Sequence, residues 1–126
     1  MLPAMAQLTR AIVAFVLLAS GFAAGADDGM VPIADLGIVS GEWRGTLYGG
    51  RSGQVPYTLV IYADGRWKAE SPNGSSNGTM QVDQGVVQFQ SATTGRFGTY
   101  TLHESGGTRI LKMQGEGGVW AELRRP

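Results

Sequence analysis

Val55-Pro56-Tyr57-Thr58-Leu59-Val60-Ile61-Tyr62-Ala63-Asp64-Gly65-Arg66-Trp67-Lys68-Ala69-Glu70 is the stretch that decides the fold. Val55, Tyr57, Leu59 and Ile61 alternate with Pro56, Thr58, Val60 and Tyr62. That period of two puts successive side chains on opposite faces of a strand. Pro56 has no amide hydrogen to give to a ladder, which places it at an edge or a strand entry. Ala63-Asp64-Gly65 signals a tight hairpin turn. After it, Trp67 and Ala69 take one face, and Arg66, Lys68 and Glu70 take the other. The segment reads as an antiparallel hairpin with one apolar face.

The same pattern extends in both directions. Upstream, Trp43, Gly45 and Leu47 alternate with Glu42, Arg44 and Thr46, and Gly49-Gly50-Arg51-Ser52-Gly53 forms a loop. Downstream, Ser71-Pro72-Asn73-Gly74-Ser75 reads as a loop by composition. Gly78, Met80 and Val82 then share a face, followed by Val87 and Phe89, and by Gly98, Tyr100 and Leu102. Turns at Ser105-Gly106-Gly107 and Glu116-Gly117-Gly118 bracket a strand carrying Leu111 and Met113, and the last strand turns Val119, Ala121 and Leu123 inward. Eight short strands therefore occupy residues 41–124 at regular spacing, the pattern of a sandwich or a barrel. The connections are short, so each strand pairs with its sequence neighbour. An open meander would leave two bare edges, and joining first to last removes both. The predicted fold is all-β, an eight-stranded antiparallel up-and-down β-barrel, with a sandwich as the competing architecture.

Composition narrows the function. The chain has 126 residues, ten Lys+Arg, ten Asp+Glu, one His, no Cys and twenty glycines. No disulfide framework or thiolate metal site can be built. The charge balance lacks the basic excess of a nucleic-acid binder. Residues 1–26 read as a cleaved signal peptide: Arg10 supplies the charged start, residues 11–19 are an unbroken apolar run, and Ala24-Gly25-Ala26 is a small-x-small cleavage site. The run is too short for a membrane span, which needs about 20 apolar residues. The organisation expected is thus a signal peptide over 1–26, an N-terminal arm over 27–40 and a β-barrel domain over 41–126. The mature chain carries no membrane span and is exported, to the periplasm or the medium. Without disulfides it is held by its core alone.

Ser40-Gly41-Glu42-Trp43 resembles the Gly-x-Trp entry of the calycin barrels, the lipocalins and avidins. The resemblance implies a barrel whose Trp43 sits at the closed end, beside an Arg from the end of the last strand, here Arg124 or Arg125. Beyond those three residues the likeness is architectural. The chain is shorter than a lipocalin and has neither the C-terminal helix nor the other lipocalin motifs. Val31-Pro32-Ile33-Ala34-Asp35-Leu36, ahead of the same strand, is similar to the arm of the bacterial periplasmic inhibitors of serralysin-type metalloproteases. That family carries a disulfide, which a chain without Cys cannot form. Small glycine-rich exported bacterial barrels look closest of all.

The chemistry the chain can host is limited. His103 has no second His or Cys with which to hold zinc and reads as an exposed polar residue, and no Asp-x-Asp-x-Asp-Gly run supplies a calcium loop. Gly74-Ser75-Ser76-Asn77-Gly78 matches Gly-x-Ser-x-Gly but lacks the strand-to-helix setting of a nucleophile elbow. No catalytic set, cofactor site or metal site is expected, so the chain reads as a non-catalytic binding protein. Its partner would be a small apolar ligand or another protein. The inward aromatics and methionines favour an interior filled by side chains; the alternative is a small apolar pocket near one mouth, lined by Tyr57, Trp67 and Tyr100. An outer aromatic patch of Tyr48, Val60, Tyr62 and Trp120 would serve a protein partner. The alternative is a protease inhibitor acting through residues 27–39, whose ordering the barrel does not demand.

Overall fold

The computed structural model describes residues 29–50 and 53–126. The leader expected over residues 1–26 lies outside the described residues, as do Arg51 and Ser52 of the first loop. A two-residue strand, β1 (Met30–Val31), precedes eight longer ones: β2 (Gly41–Tyr48), β3 (Gln54–Ile61), β4 (Arg66–Ser71), β5 (Gly74–Asp83), β6 (Val86–Ser91), β7 (Phe97–Ser105), β8 (Thr108–Gly115) and β9 (Trp120–Arg124).

Every strand from β2 to β9 pairs antiparallel with its sequence neighbour. β9 also pairs with β2, from Arg44↔Arg124 to Tyr48↔Trp120, and so closes the barrel. The sheet thereby satisfies the hydrogen bonds that two free edges would have exposed. β4 pairs only with residues 58–61 of β3, so the end of β3 holding Pro56 has β2 as its single ladder partner. Closure also demands close approach of backbones, which Gly45 permits. A β-carbon there would overlap the carbonyl oxygen of Glu122 on β9. Glycine at such a position lets a strand coil tightly against its neighbour.

The alternation places the core inside. Trp43, Leu59, Ile61, Trp67, Met80, Val87, Tyr100, Leu102, Leu111, Met113, Ala121 and Leu123 are buried. Leu47, Tyr57, Val82, Phe89 and Val119 pack against them while partly exposed. Ser91 is the one polar residue among the buried described residues, and its hydroxyl accepts from the amides of Thr93 and Thr94 in the β6–β7 turn.

Two local expectations are corrected. Residues 74–75 are not loop. The β4–β5 connection is only Pro72-Asn73, and β5 starts at Gly74, paired with Ser71. Polar Ser75, Ser76 and Asn77 disguise the strand because its outer half faces solvent. The lead-in over residues 27–40, expected to be separable from the barrel, supplies core residues. Ile33 and Val39 are 0% exposed, with Val31, Leu36 and Ile38 packed against the same cluster. The Ile33 amide donates to the Gly85 carbonyl (2.9 Å). Asp35 caps a 3-10 turn over Leu36–Ile38 by accepting from the Gly37 amide (2.8 Å). The segment has neither a strand nor a helix period, so its burial could not be read locally.

Candidate functional site

The two ends of the barrel differ. At one end the arm crosses beneath the β5–β6 turn, where Gly85 meets Pro32 and Ile33. Trp43 is 1% exposed there, and its indole Nε1 donates to the Val39 carbonyl (2.8 Å). Arg125 lies over the indole face, its guanidinium carbon 4.1 Å from the ring centroid. The same guanidinium donates to the carbonyls of Ser40 (2.7 Å) and Ile38 (3.3 Å). Gly41 has φ of 108°, and a β-carbon there would meet Arg125 Nη1 at 2.8 Å, so the Gly-x-Trp pair seats both ring and guanidinium. Partial burial, helped by the charge of Arg109, lowers the Arg125 pKa. Arg124 takes no part in this cap. It is exposed and pairs opposite Arg44 on the outer surface.

The other end carries the β2–β3, β4–β5, β6–β7 and β8–β9 connections. Inward residues near it, Leu47, Tyr57, Phe89 and Val119, are only partly buried. Those toward the arm, Trp43, Ile61, Val87, Leu102, Leu111 and Leu123, are essentially inaccessible. The interior is therefore sealed at one end, and its apolar lining thins toward the other.

Tyr57, Trp67 and Tyr100 come together in this interior, bridged by Phe89, which sequence reasoning had placed only in the core. Trp67 meets Phe89 edge-on at 5.7 Å, and Phe89 meets Tyr100 at 5.0 Å with a 44° tilt. Trp67 Nε1 donates to the Thr79 carbonyl (3.0 Å), which satisfies its polar edge. Tyr100 is different. It is 1% exposed, and its hydroxyl makes no well-aligned hydrogen bond among the described residues. The Tyr57 hydroxyl is its polar neighbour, placed to accept from the Tyr100 O–H. Burial pushes the Tyr100 pKa well above the usual phenol value, and Tyr57 reinforces the shift. Burial also raises that of Tyr57, against the opposing effect of Tyr100. Both phenols are thus neutral at physiological pH. No charged residue belongs to the buried core or to the hydrophobic side chains packed on it.

The outer aromatic residues do not form the single patch expected of them. Tyr48 stacks on Trp120 with centroids 4.0 Å apart, and Trp120 is 42% exposed. Val60 pairs with Glu42, whereas Tyr48 pairs with Gln54 six residues along the same ladder. At about 3.4 Å per residue this is a separation of roughly 20 Å. Tyr62, beyond Val60, lies under the Arg66 guanidinium at 5.1 Å, and Arg66 in turn pairs with Asp64. Register therefore splits the four residues between opposite ends. Phe97, 57% exposed on the strand after the β6–β7 turn, lies at the same end of the barrel as Tyr48 and Trp120. Its exposure was legible in the alternation, its position at the mouth only in the topology.

His103 is half-buried rather than exposed, and its Nε2 is 2.9 Å from the Thr101 hydroxyl. Ser76 of the Gly-x-Ser-x-Gly match lies within β5, opposite Ala69. Among the described residues no three His, Cys, Asp or Glu side chains converge on a common point, and no helix is long and apolar enough to cross a membrane. Comparison with known proteins returned no matching family model, curated protein or solved structure.

Proposed function

We propose that this chain is an exported, non-catalytic binding protein of calycin-like type that takes a small apolar ligand through the open end of its barrel. The observation that carries the reading is the asymmetry of the interior. The arm and the Trp43–Arg125 cap seal one end, while Leu47, Tyr57, Phe89 and Val119 stay within reach of solvent at the other. An eight-stranded barrel is wide enough for one small ligand, and an apolar lining with a few polar groups is the usual character of such sites. Export is argued from residues 1–26 and predicts a mature chain that begins at Asp27.

A toluene titration followed by NMR tests the reading. Toluene should shift ring and methyl signals of Phe89, Leu47 and Val119. Leu47→Trp, which fills the mouth, should abolish those shifts and leave the melting temperature close to that of the parent. Absence of toluene-dependent shifts in the parent protein would end the proposal.

A second reading, docking of a protein partner, is favoured by the Tyr48–Trp120 stack and Phe97 at the open end. It predicts that Trp120→Ala impairs partner capture without altering toluene uptake. The inhibitor reading has less support. Inserting residues 31–39 into an enzyme would break the Ile33–Gly85 hydrogen bond and expose Ile33 and Val39.

A further inference from the structure

We propose that Asn73 is a site of spontaneous backbone modification, where the side-chain amide is lost through a ring closed with the Gly74 nitrogen, and that Asn77 is protected from the same reaction by its place in the sheet. The chain has two asparagines, and each is followed by glycine. Glycine has no side chain to shield its amide nitrogen, so each pair sets an unhindered nucleophile beside a carboxamide. The chemistry open to the two is the same, and only their positions differ. Asn73 belongs to the two-residue Pro72-Asn73 connection and is exposed. The pair behind it, Ser71↔Gly74, is the last of the β4–β5 ladder. β3 accompanies β4 only as far as Glu70, and β6 accompanies β5 only from Gly78. The tip over residues 71–76 is therefore two strands wide, and a two-stranded ribbon by itself is marginal in water. Gly74 has φ of 131°, and a β-carbon there would meet nothing within 4 Å, so the tip has room to rearrange.

Asn77 is held from both sides. It pairs with Lys68 on β4, its amide donates to the Thr93 hydroxyl (3.2 Å), and its carbonyl accepts from the Ala92 amide (2.8 Å). Gly78 lies between Trp67 on β4 and Ser91 on β6, so close that a β-carbon would overlap the Gln90 carbonyl. Ring closure swings the glycine nitrogen toward the asparagine Cγ, out of the extended backbone that a strand fixes. At Asn77 that movement breaks pairing on two sides, whereas at Asn73 it opens only the end of a ribbon, the part of a fold that frays at least cost. The deprotonated Gly74 nitrogen then bonds to Cγ of Asn73, the bond from Cγ to the amide nitrogen breaks, and ammonia leaves with the proton that Gly74 gave up. Water opens the resulting succinimide. Addition at Cγ leaves aspartate. Addition at the backbone carbonyl leaves isoaspartate, whose main chain runs through the side-chain carbons. Either product carries a new negative charge at the open end of the barrel, and the lengthened turn of isoaspartate cannot keep Ser71 opposite Gly74. The inference stands apart from the binding reading above.

The test incubates the folded protein and the urea-unfolded protein at mildly alkaline pH and follows both asparagines by peptide mass spectrometry, with isoaspartate identified by its fragmentation. In the folded chain Asn73 should convert at least tenfold faster than Asn77. In urea the two rates should converge, because the sheet no longer distinguishes the two Asn-Gly pairs. Comparable rates in the folded chain, or earlier conversion of Asn77, would overturn the proposal. So would a folded Asn73 that stays intact while the unfolded chain converts. A difference of the same size in urea also overturns it, since the flanking sequence and not the sheet would then set the rates. In the isoaspartate form, hydrogen exchange should quicken over residues 71–76 and stay unchanged at Trp67 and Gly78. Unchanged exchange at the tip would overturn the assigned loss of the Ser71–Gly74 pair.

Discussion

Trp43→Ala should remove the contact on which the sealed end depends. The indole is 1% exposed, its Nε1 donates to Val39, and Arg125 lies 4.1 Å above its ring. A buried aromatic side chain covers about 150–250 Å², which at ~25 cal/mol per Å² corresponds to roughly 4–6 kcal/mol. Measured Trp or Phe to Ala substitutions in cores cost about 3–5 kcal/mol, so about 4 kcal/mol is expected here. Against a total of ~5–15 kcal/mol for a typical domain, that is a large fraction. At about 4–8 °C per kcal/mol for a chain of this size, the melting temperature should fall by roughly 15–30 °C. Arg125→Met keeps an apolar stem but loses the two carbonyl hydrogen bonds and the cation over the ring. Because Arg125 is exposed to solvent, its loss should cost less, about 1–2 kcal/mol. Urea unfolding of both single variants and the double variant, followed by circular dichroism, measures the coupling. The ring and guanidinium should be coupled by ~0.5–2 kcal/mol. Strict additivity, or a Trp43→Ala cost below about 1.5 kcal/mol where a buried Trp should give at least twice that, would refute the argument.

Three further outcomes are expected. Ile33→Ala should destabilise by ~2–4 kcal/mol because the side chain is fully enclosed, and deleting residues 27–35 should lower the melting temperature at least as much; a detachable arm would show neither. Gly45→Ala should cost at least ~2 kcal/mol, because its β-carbon overlaps a carbonyl that only backbone movement can displace, and hydrogen exchange should quicken along the β2–β9 ladder. Stability should fall at alkaline pH. Below about pH 10 the phenols are neutral in both folded and unfolded chains, whereas above it the unfolded chain ionises first, since the pKa values of Tyr57 and Tyr100 are raised by folding. The loss should approach ~1.4 kcal/mol per pH unit for each such tyrosine until its folded pKa is reached. Urea midpoints across this range should show a shallower decline in Tyr57→Phe and Tyr100→Phe.

What the sequence determined by itself was the set of strands and the face each one buries. Side chains alternate across a strand as a matter of backbone geometry, so Trp43, Leu59, Trp67, Val87, Tyr100 and Leu123 declare their direction locally. Closure was also within reach, because short connections force neighbours to pair and leave two edges that only the first and last strands can satisfy. The tertiary structure decided matters that depend on register and on distant chain segments. Register separates Tyr48 and Trp120 from Val60 and Tyr62, and a pattern of outward residues contains no register. Residues 31–39 have no period of two or of 3.6, so nothing local indicates that Ile33 and Val39 close one end of the core. The choice of Arg125 over Arg124 turns on which face the chain presents as it leaves β9, where Arg125 reaches the carbonyls of Ser40 and Ile38 across 85 and 87 residues of sequence. The meeting of the Tyr57 and Tyr100 hydroxyls belongs to this second group too. An inward tyrosine can be read from its spacing, but whether its oxygen meets a partner depends on all the strands that surround it.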